Sequence, residues 1–302
     1  MSLIVLEPGI EARLVDLGRP RSRRFGVPVG GAADRRSFVL GNSLIGNSPD
    51  APALEFALKG PRVRAECDVG CVLFGAPFEA HRDGYPIAVG RTFTLKRGEE
   101  LRVGGTNHGA RAYLCVRGGF DVTPVLGSRS ALEPLKKNDV LPCHASAAPA
   151  RYCPDLAASF DDAAELGVLP GLQADWFDEV EVYDRDFTVT PSSNRMGLRL
   201  SSEPLTMPER EMISEPVCPG SVQVTRDGQC IVLGVDGQTI GGYPKIAQVI
   251  QADLDALGQL RPGQSVRFVK VTMDGAIRRD RAAQVELREW ALRLSASFDE
   301  TK

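Results

Sequence analysis

Short apolar runs, each broken by glycine or proline before a long helix could form, set the first limit on what this chain can fold into. The 302 residues include 31 glycines and 21 prolines. Both residues interrupt regular structure, glycine through its conformational freedom and proline through its missing N–H and fixed φ. The runs between them at 71–74, 87–95, 110–116, 179–183, 221–224, 230–235 and 265–271 are rich in β-branched and aromatic residues and read as strands. Val222-Gln-Val-Thr-Arg-Asp-Gly-Gln-Cys-Ile-Val-Leu233 reads as a hairpin. Asp227-Gly228 at its tip suits a tight primed turn with positive φ at both central residues. Strands so closely spaced favour barrels or sandwiches over a doubly wound sheet.

Helical signals are fewer. Asp34 can cap a helix over 36–46, where Leu40 and Leu44 lie one turn apart. A second helix is expected over 245–257, with Pro244 at its start and Ile246, Val249, Ile250, Leu254 and Leu257 on one side. Leu287, Trp290, Ala291, Leu294 and Phe298 form the stripe of a third, packed on the barrel or on a partner. The stretch 153–173 lacks sustained alternation and separates a β-rich half at 1–160 from a second half at 161–302.

Charge excludes some partners. Charged residues make up 25% of the chain, its formal net charge is -3, and both signs are interspersed, so no basic footprint for nucleic acid exists. The arginines of 19–24 are broken by Pro20 and Ser22 and read as a solvated loop. No apolar run is long enough to span a membrane, and the first residues lack the basic region of a signal peptide. The expectation is a cytoplasmic protein whose seven cysteines are thiols. Cys71 and Cys115 sit inside apolar runs as small buried hydrophobes, no Cys-x2-Cys occurs, and no metal site is expected. His81, His108 and His144 make neither a zinc-protease motif nor, without Gly-x-Ser-x-Gly, a serine triad.

Two glycine-dense segments gather chemistry. Gly26-Val-Pro28-Val-Gly-Gly-Ala-Ala-Asp34 precedes the first helix and is followed by Asn42, Asn47 and Glu55. It reads either as a cradle for an anion or as a tight loop that the fold requires. Gly234-Val-Asp236-Gly-Gln238-Thr239-Ile-Gly241-Gly242-Tyr243-Pro-Lys245 collects a carboxylate, an amide, a hydroxyl, a phenol and an ammonium. Ahead of the expected helix at Pro244 it could bind a carboxylate or an amide, or serve equally as a structural turn. It is neither a P-loop nor a dinucleotide fingerprint. Between these segments, Arg195 and Arg199 are four residues apart and could clamp an acid, or could be solvated arginines on a surface strand.

In order along the chain, the motifs resemble those of the family that unites KipA, the C-type subunit of 5-oxoprolinase and the second subunit of allophanate hydrolase. They are Asp16-Leu-Gly-Arg, Gly26-Val-Pro, Gly31-Ala-Ala-Asp34, Gly41-Asn-Ser-Leu-Ile-Gly-Asn47, Ala53-Leu-Glu55, Leu126-Gly-Ser-Arg129 and Gln173-Ala-Asp-Trp-Phe177. Ser193-Asn-Arg-Met-Gly-Leu-Arg-Leu200, Pro219-Gly-Ser-Val-Gln-Val224 and, most distinctively, Asp236-Gly-Gln-Thr-Ile-Gly-Gly-Tyr-Pro-Lys245 continue the match. The chain departs from the family pattern at Gly30, where a serine is usual. It departs again after Ser130, where Ala131-Leu-Glu-Pro-Leu-Lys-Lys137 replaces a Gly-Gly-containing loop.

The resemblance implies a mainly β fold of cyclophilin-like β-barrel architecture with a few short helices. It implies a subunit of an ATP-dependent 5-oxoprolinase that opens 5-oxoproline to glutamate with a KipI-like partner and a LamB-type third subunit. Two alternatives come with it: the carboxyltransferase component of a biotin-dependent urea carboxylase-like system, and a regulator that sequesters a KipI-like kinase inhibitor. On these matched motifs Asp236 or Glu55 is expected to handle protons, and Lys245 and Arg195 to hold a substrate carboxylate or phosphate. The backbone of Gly241 and Gly242 is expected to stabilise an oxyanion. Gly26, Pro28, Asp34, Asn42, Asn47, Gln238, Thr239 and Tyr243 complete the expected substrate-binding set.

Overall fold

The computed structural model describes residues 1–153 and 163–296. They form two compact units. The first joins Met1–Gly18 with the described residues of Asp34–Phe160 and Glu286–Lys302; the second joins Arg19–Ala33 with those of Asp161–Val285. The glycine-rich segment 26–33 therefore belongs to the same unit as Arg195 and Asp236.

In chain order the strands of the first unit are β1 (Ser2–Glu7), β2 (Glu11–Val15), β3 (Ala53–Ala57), β4 (Arg62–Ala65), β5 (Val69–Gly75), β6 (Ala80–Arg82), β7 (Tyr85–Pro86), β8 (Thr92–Leu95), β9 (Glu100–Val103), β10 (Arg111–Val116) and β11 (Val140–Pro142). They make a six-stranded sheet in the order β11-β1-β4-β9-β6-β7 and a five-stranded sheet in the order β2-β3-β10-β5-β8. Leu3, Val5, Val63 and Leu101 from the first sheet share one buried cluster with Leu54, Phe56, Leu73 and Leu114 from the second, as in a sandwich. Helix α1 (Arg35–Ile45) packs on β5 and β10, its Phe38 ring meeting Tyr113 edge-on at 5.8 Å. Its ends are written locally. Asp34 Oδ1 accepts the Ser37 N–H at 2.9 Å, and Gly46 closes the helix in the left-handed region.

The second unit contains β12 (Ala163–Pro170), β13 (Phe187–Val189), β14 (Gly197–Ser201), β15 (Glu215–Pro216), β16 (Ser221–Val224), β17 (Cys230–Leu233), β18 (Ile240–Gly241), β19 (Lys245–Val249) and β20 (Ser265–Lys270). Seven of them close a barrel in the order β12-β19-β16-β17-β14-β13-β20, sealed by parallel pairing of β20 with β12. Closure leaves no open edge in the wall. Leu166, Val168, Phe187, Val222, Val232, Val266 and Phe268 fill the interior. The remaining two strands, β15 and β18, pair as a separate short ribbon. The mainly β reading and the barrel are thus both present.

Three local expectations change. The expected helix over 245–257 begins instead as β19, followed by a 3-10 turn (Gln251–Asp253) and the short helix α3 (Leu254–Gln259). Ile246 and Val249 are β-branched, and pairing of β19 with both β12 and β16 overrides their helical spacing. Glu179–Tyr183, read as a strand, is helix α2, and Asp178 caps it by accepting the Val180 N–H at 2.8 Å. Within 87–95 the strand is confined to β8.

The hairpin of β16 and β17 forms as expected, but its turn differs. Gly228 has φ +75° while Asp227 is not left-handed, and the Gly228 N–H closes on Thr225 O at 2.9 Å. That is a three-residue connection ending in one left-handed glycine. Helix α4 (Met273–Ala296) contains the expected stripe, with Leu287, Trp290, Ala291 and Leu294 half-buried; Phe298 lies outside the described residues. Among the described residues no helix is long and apolar enough to cross a membrane.

Candidate functional site

The two glycine-dense segments of the sequence meet in the second unit, at Arg195 and Asp236. Arg195 lies in the turn before β14 and Asp236 just after β17, strands that pair in the barrel wall. The pairing continues past the strands: Gly234 N–H donates to Met196 O at 3.0 Å, and Asp236 N–H to Arg195 O at 3.1 Å. The side chains then close the same link. Arg195 Nε donates to Asp236 Oδ2 at 2.8 Å and Nη2 to Oδ1 at 3.0 Å, a planar fork on a carboxylate. Nη2 also donates to Gly31 O at 2.7 Å, and Gly30 N–H donates to Val235 O at 2.8 Å. Arg195 is buried, while the Asp236 side chain keeps 21% exposure.

Gly30 adjoins the Arg195–Asp236 pair. Its φ is +64°, and a Cβ there would lie 3.3 Å from Arg19 Nη1 and 3.9 Å from Asp236 Oδ1. A serine side chain would reach directly toward that carboxylate and guanidinium. Arg19 is buried, with its N–H on Val29 O at 2.7 Å, so the arginine run is not simply a solvated loop. Residues Pro20–Phe25 form a 3-10 helix that Gly26 ends at φ +78°, and Arg23 Nη2 donates to Val217 O. Pro28 is half-buried in the same loop. Arg199 does not join Arg195: it is exposed on β14, so the two form no clamp.

Beyond Asp236 the chain enters the ribbon. Glu215 pairs with Gly241 and Pro216 with Ile240, and Val217 N–H donates to Thr239 O at 3.0 Å. The buried Gln223 amide sits beneath it, donating to Tyr243 O at 3.3 Å and accepting from Gln238 Nε2 at 3.3 Å. A Cβ on Gly241 would come within 2.7 Å of Gln223 Nε2, which explains the small residue there. Gly241 is therefore a strand residue, and because β19 replaces the expected helix, no helix start lends it or Gly242 a positive dipole. Gln238 and Gly242 are exposed and Tyr243 is 38% exposed.

Lys245 begins β19 and is buried. Its Nζ donates to Glu215 Oε2 and, at 3.4 Å, to Pro216 O. Gln173 frames it, with Oε1 accepting the Lys245 N–H at 3.0 Å and Nε2 lying 3.4 Å from Glu215 Oε2. The Lys245 hydrogen bond, ahead of its charge, holds the Glu215 carboxyl below the usual range. Lys245 and Arg195, expected to hold a substrate carboxylate or phosphate, each face an internal carboxylate.

The other expected site residues, Glu55, Asp34, Asn42 and Asn47, lie in the first unit. Glu55, 2% exposed on β3, accepts from Tyr113 Oη at 2.7 Å, and Arg111 Nε lies 3.6 Å from it. Tyr113 Oη in turn accepts the Asp34 N–H at 2.9 Å. Burial first, then the Glu55 and Asp34 charges, push the Tyr113 phenol well up. Asn42 donates to Ala51 O and accepts from Asn47, both at 2.9 Å; Asn47 also donates to Val116 O and accepts the Gly118 N–H, both at 2.8 Å. Asp34, Asn42 and Asn47, expected to bind substrate, are held here in a helix cap and a pair of loop hydrogen bonds. Elsewhere in this unit, Asp16 accepts from Ser128 Oγ, Ser130 Oγ and the Arg129 N–H at 2.6–2.7 Å, tying two of the family motifs together.

Glu215 and Gln223 are not singled out by the sequence. Gln223 stands inside one of the family motifs, but Glu215 has no local signal, since its partner lies 30 residues on. Cys67, Cys71, Cys115, Cys143 and Cys230 are buried. Among the described residues no His, Cys, Asp and Glu gather in the manner of a metal site.

This fold and these motifs define a class. Residues 25–270 match the family model described as carboxyltransferase domain, subdomain A and B, and the chain belongs to that family. Within it, the chain is 35% identical to the C-type subunit of the 5-oxoprolinase of Escherichia coli (strain K12), over 96% of this chain and 98% of that protein. Among solved structures it is similar to TTHA0988, with a TM-score of 0.81 and 36% identity over 89% of this chain and 56% of that one. It is also similar to the K. lactis urea amidolyase, with a TM-score of 0.86 and 28% identity over 96% of this chain and 20% of that one. The chain thus spans about half of TTHA0988 and a fifth of the amidolyase.

Proposed function

We propose that this chain is the C-type subunit of an ATP-dependent 5-oxoprolinase, acting with a KipI-like partner and a LamB-type third subunit. The observation that carries the reading is end-to-end similarity to the C-type subunit of a bacterial 5-oxoprolinase, whereas the urea amidolyase match covers a small part of a much longer protein. The reaction opens the lactam C–N bond with water, giving a carboxylate and an ammonium, and cleavage of ATP to ADP and phosphate supplies the driving force. Asp236 is the residue assigned to handle protons at the amide. Arg195 orients it and offsets its charge, and the Gly30–Gly31 backbone forms the adjoining wall. A carboxylate fixed this way needs little rearrangement when charge develops beside it. Glu55, enclosed in the first unit, is assigned a structural role.

The test is reconstitution: 5-oxoproline-dependent ADP release by this chain with its KipI-like and LamB-type neighbours. Release that disappears when this chain is omitted supports the reading, and a stable but inactive complex counts against it.

The carboxyltransferase family match favours one second reading, a component on which a carboxyl group passes from carboxybiotin to urea in a urea carboxylase-like system. Biotin-dependent carboxylation of urea by a complex containing this chain, with no response to 5-oxoproline, would select it.

A further inference from the structure

We propose that Glu215 is the positioning residue of the Asp236 segment, a latch that fixes 236–243 to the barrel wall through Lys245; its catalytic consequence rests on the function proposed above. The segment and its anchor are held very unequally. Residues 236–243 run from Asp236 to the start of β19, and among the described residues their strand pairing is limited to the two-residue ribbon of β15 and β18. A two-stranded ribbon this short is marginal by itself. Lys245 is the opposite. Its backbone is held on both sides by Gln173, whose N–H donates to Lys245 O at 3.0 Å and whose Oε1 accepts the Lys245 N–H at 3.0 Å.

A rigid ammonium therefore projects from the barrel wall, with its side chain only 8% exposed. An ammonium so buried requires a carboxylate or several carbonyls. Glu215 supplies the carboxylate, and Pro216 O, at 3.4 Å, adds a second acceptor from the same two-residue strand. Gln173 Nε2, 3.4 Å from Glu215, makes the carboxylate the meeting point of two groups anchored on the wall. From β15 the restraint passes across the ribbon to β18 and, through Val217 N–H on Thr239 O, to the residues just after Asp236. Lys245 is thereby assigned to the latch instead of to the substrate.

Hydrogen–deuterium exchange on the full chain tests the latch without any substrate. In Glu215→Gln, amides of 236–243 are expected to exchange about tenfold faster, while β16 and β17 keep their protection. Glu215→Asp, which retains the charge, restores part of it. Unchanged exchange at 236–243, or an equal rise across the barrel, overturns the latch. In the reconstituted enzyme Glu215→Gln is expected to raise KM for 5-oxoproline about tenfold with kcat changed far less, because Gln238, Thr239 and Tyr243 of the expected substrate-binding set lie in the released segment while Asp236 stays forked to Arg195. Faster local exchange with an unaltered KM overturns the positioning role alone, whereas failure of the function itself shows as inactivity of the unmodified complex.

Discussion

Arg195 and Asp236 bind one another twice over, once through the backbone, by the Asp236 N–H on Arg195 O, and once through a two-pronged side-chain fork. The guanidinium is buried and also carries Gly31 O, so removing it takes a two-pronged donor from the carboxylate and a hydrogen bond from the carbonyl together. Arg195→Met is expected to cost roughly 3–5 kcal/mol of stability. Arg195→Lys should recover less than half of that, since a single ammonium cannot reproduce the planar fork. Urea denaturation midpoints of the two variants check both statements.

Asp16 predicts a pH dependence of its own. Burial raises its carboxyl, but hydrogen bonds from Ser128, Ser130, the Arg129 N–H and the Gly18 N–H outweigh burial and hold it below the usual range. A carboxyl depressed in the folded state contributes stability that is fully present above its unfolded value, about 3.9, and is lost as pH falls through the folded value. Asp16→Asn is therefore expected to cost about 2–3 kcal/mol near neutrality, and the gap from the unmodified protein should narrow as pH drops below about 4. Denaturant titrations of both proteins across that range measure it. A gap that stays constant would show that the charge of Asp16 contributes nothing.

Much of the architecture is legible in the sequence because its causes are local. Glycine and proline punctuation announces many short strands, and Asp34 with Gly46 bounds α1 from its two neighbouring turns. Lys245–Val249 invites the wrong assignment because Ile246, Val249 and Ile250 satisfy a helical spacing as well as a strand, and only pairing with β12 and β16 decides between them. The site divides in the same way. Asp236, Arg195 and the Gly30–Gly31 loop carry motif signals and do converge. Asn42, Asn47 and Asp34 carry motif signals too, and they sit in a helix cap and loop hydrogen bonds of the first unit. Sequence alone does not separate a polar residue held for a ligand from one held for a loop.

Asn42 and Asn47 offer a direct check of that distinction. Asn42→Ala removes a buried amide that bridges Ala51 O and Asn47, and should destabilise the chain by roughly 1–3 kcal/mol. In the assembled enzyme, below its unfolding transition, KM for substrate should be unaltered. A changed KM with unchanged stability would restore these residues to the binding set.

The thiols can be sorted by reactivity. Burial pushes Cys143 and Cys230 up to about 12, and Cys71 and Cys115 further still, whereas Cys153 and Cys218 are partly exposed. Since the thiolate is the reacting species, a thiol reagent at pH of about 8 should label Cys153 and Cys218 in the native protein, and the buried five only after unfolding. Mass spectrometry of the labelled peptides reads this directly.

Asp236 is assigned as the chemical centre of the second unit, and every proposed step depends on it. Its most direct test is the steady-state turnover of 5-oxoproline by the reconstituted enzyme with Asp236→Asn, a near-isosteric change that keeps an acceptor for Arg195. The prediction is a fall in kcat of about 10²–10⁴-fold in a complex that still assembles and folds. Turnover equal to that of the unmodified enzyme would contradict the assignment and leave Asp236 as a structural partner of Arg195.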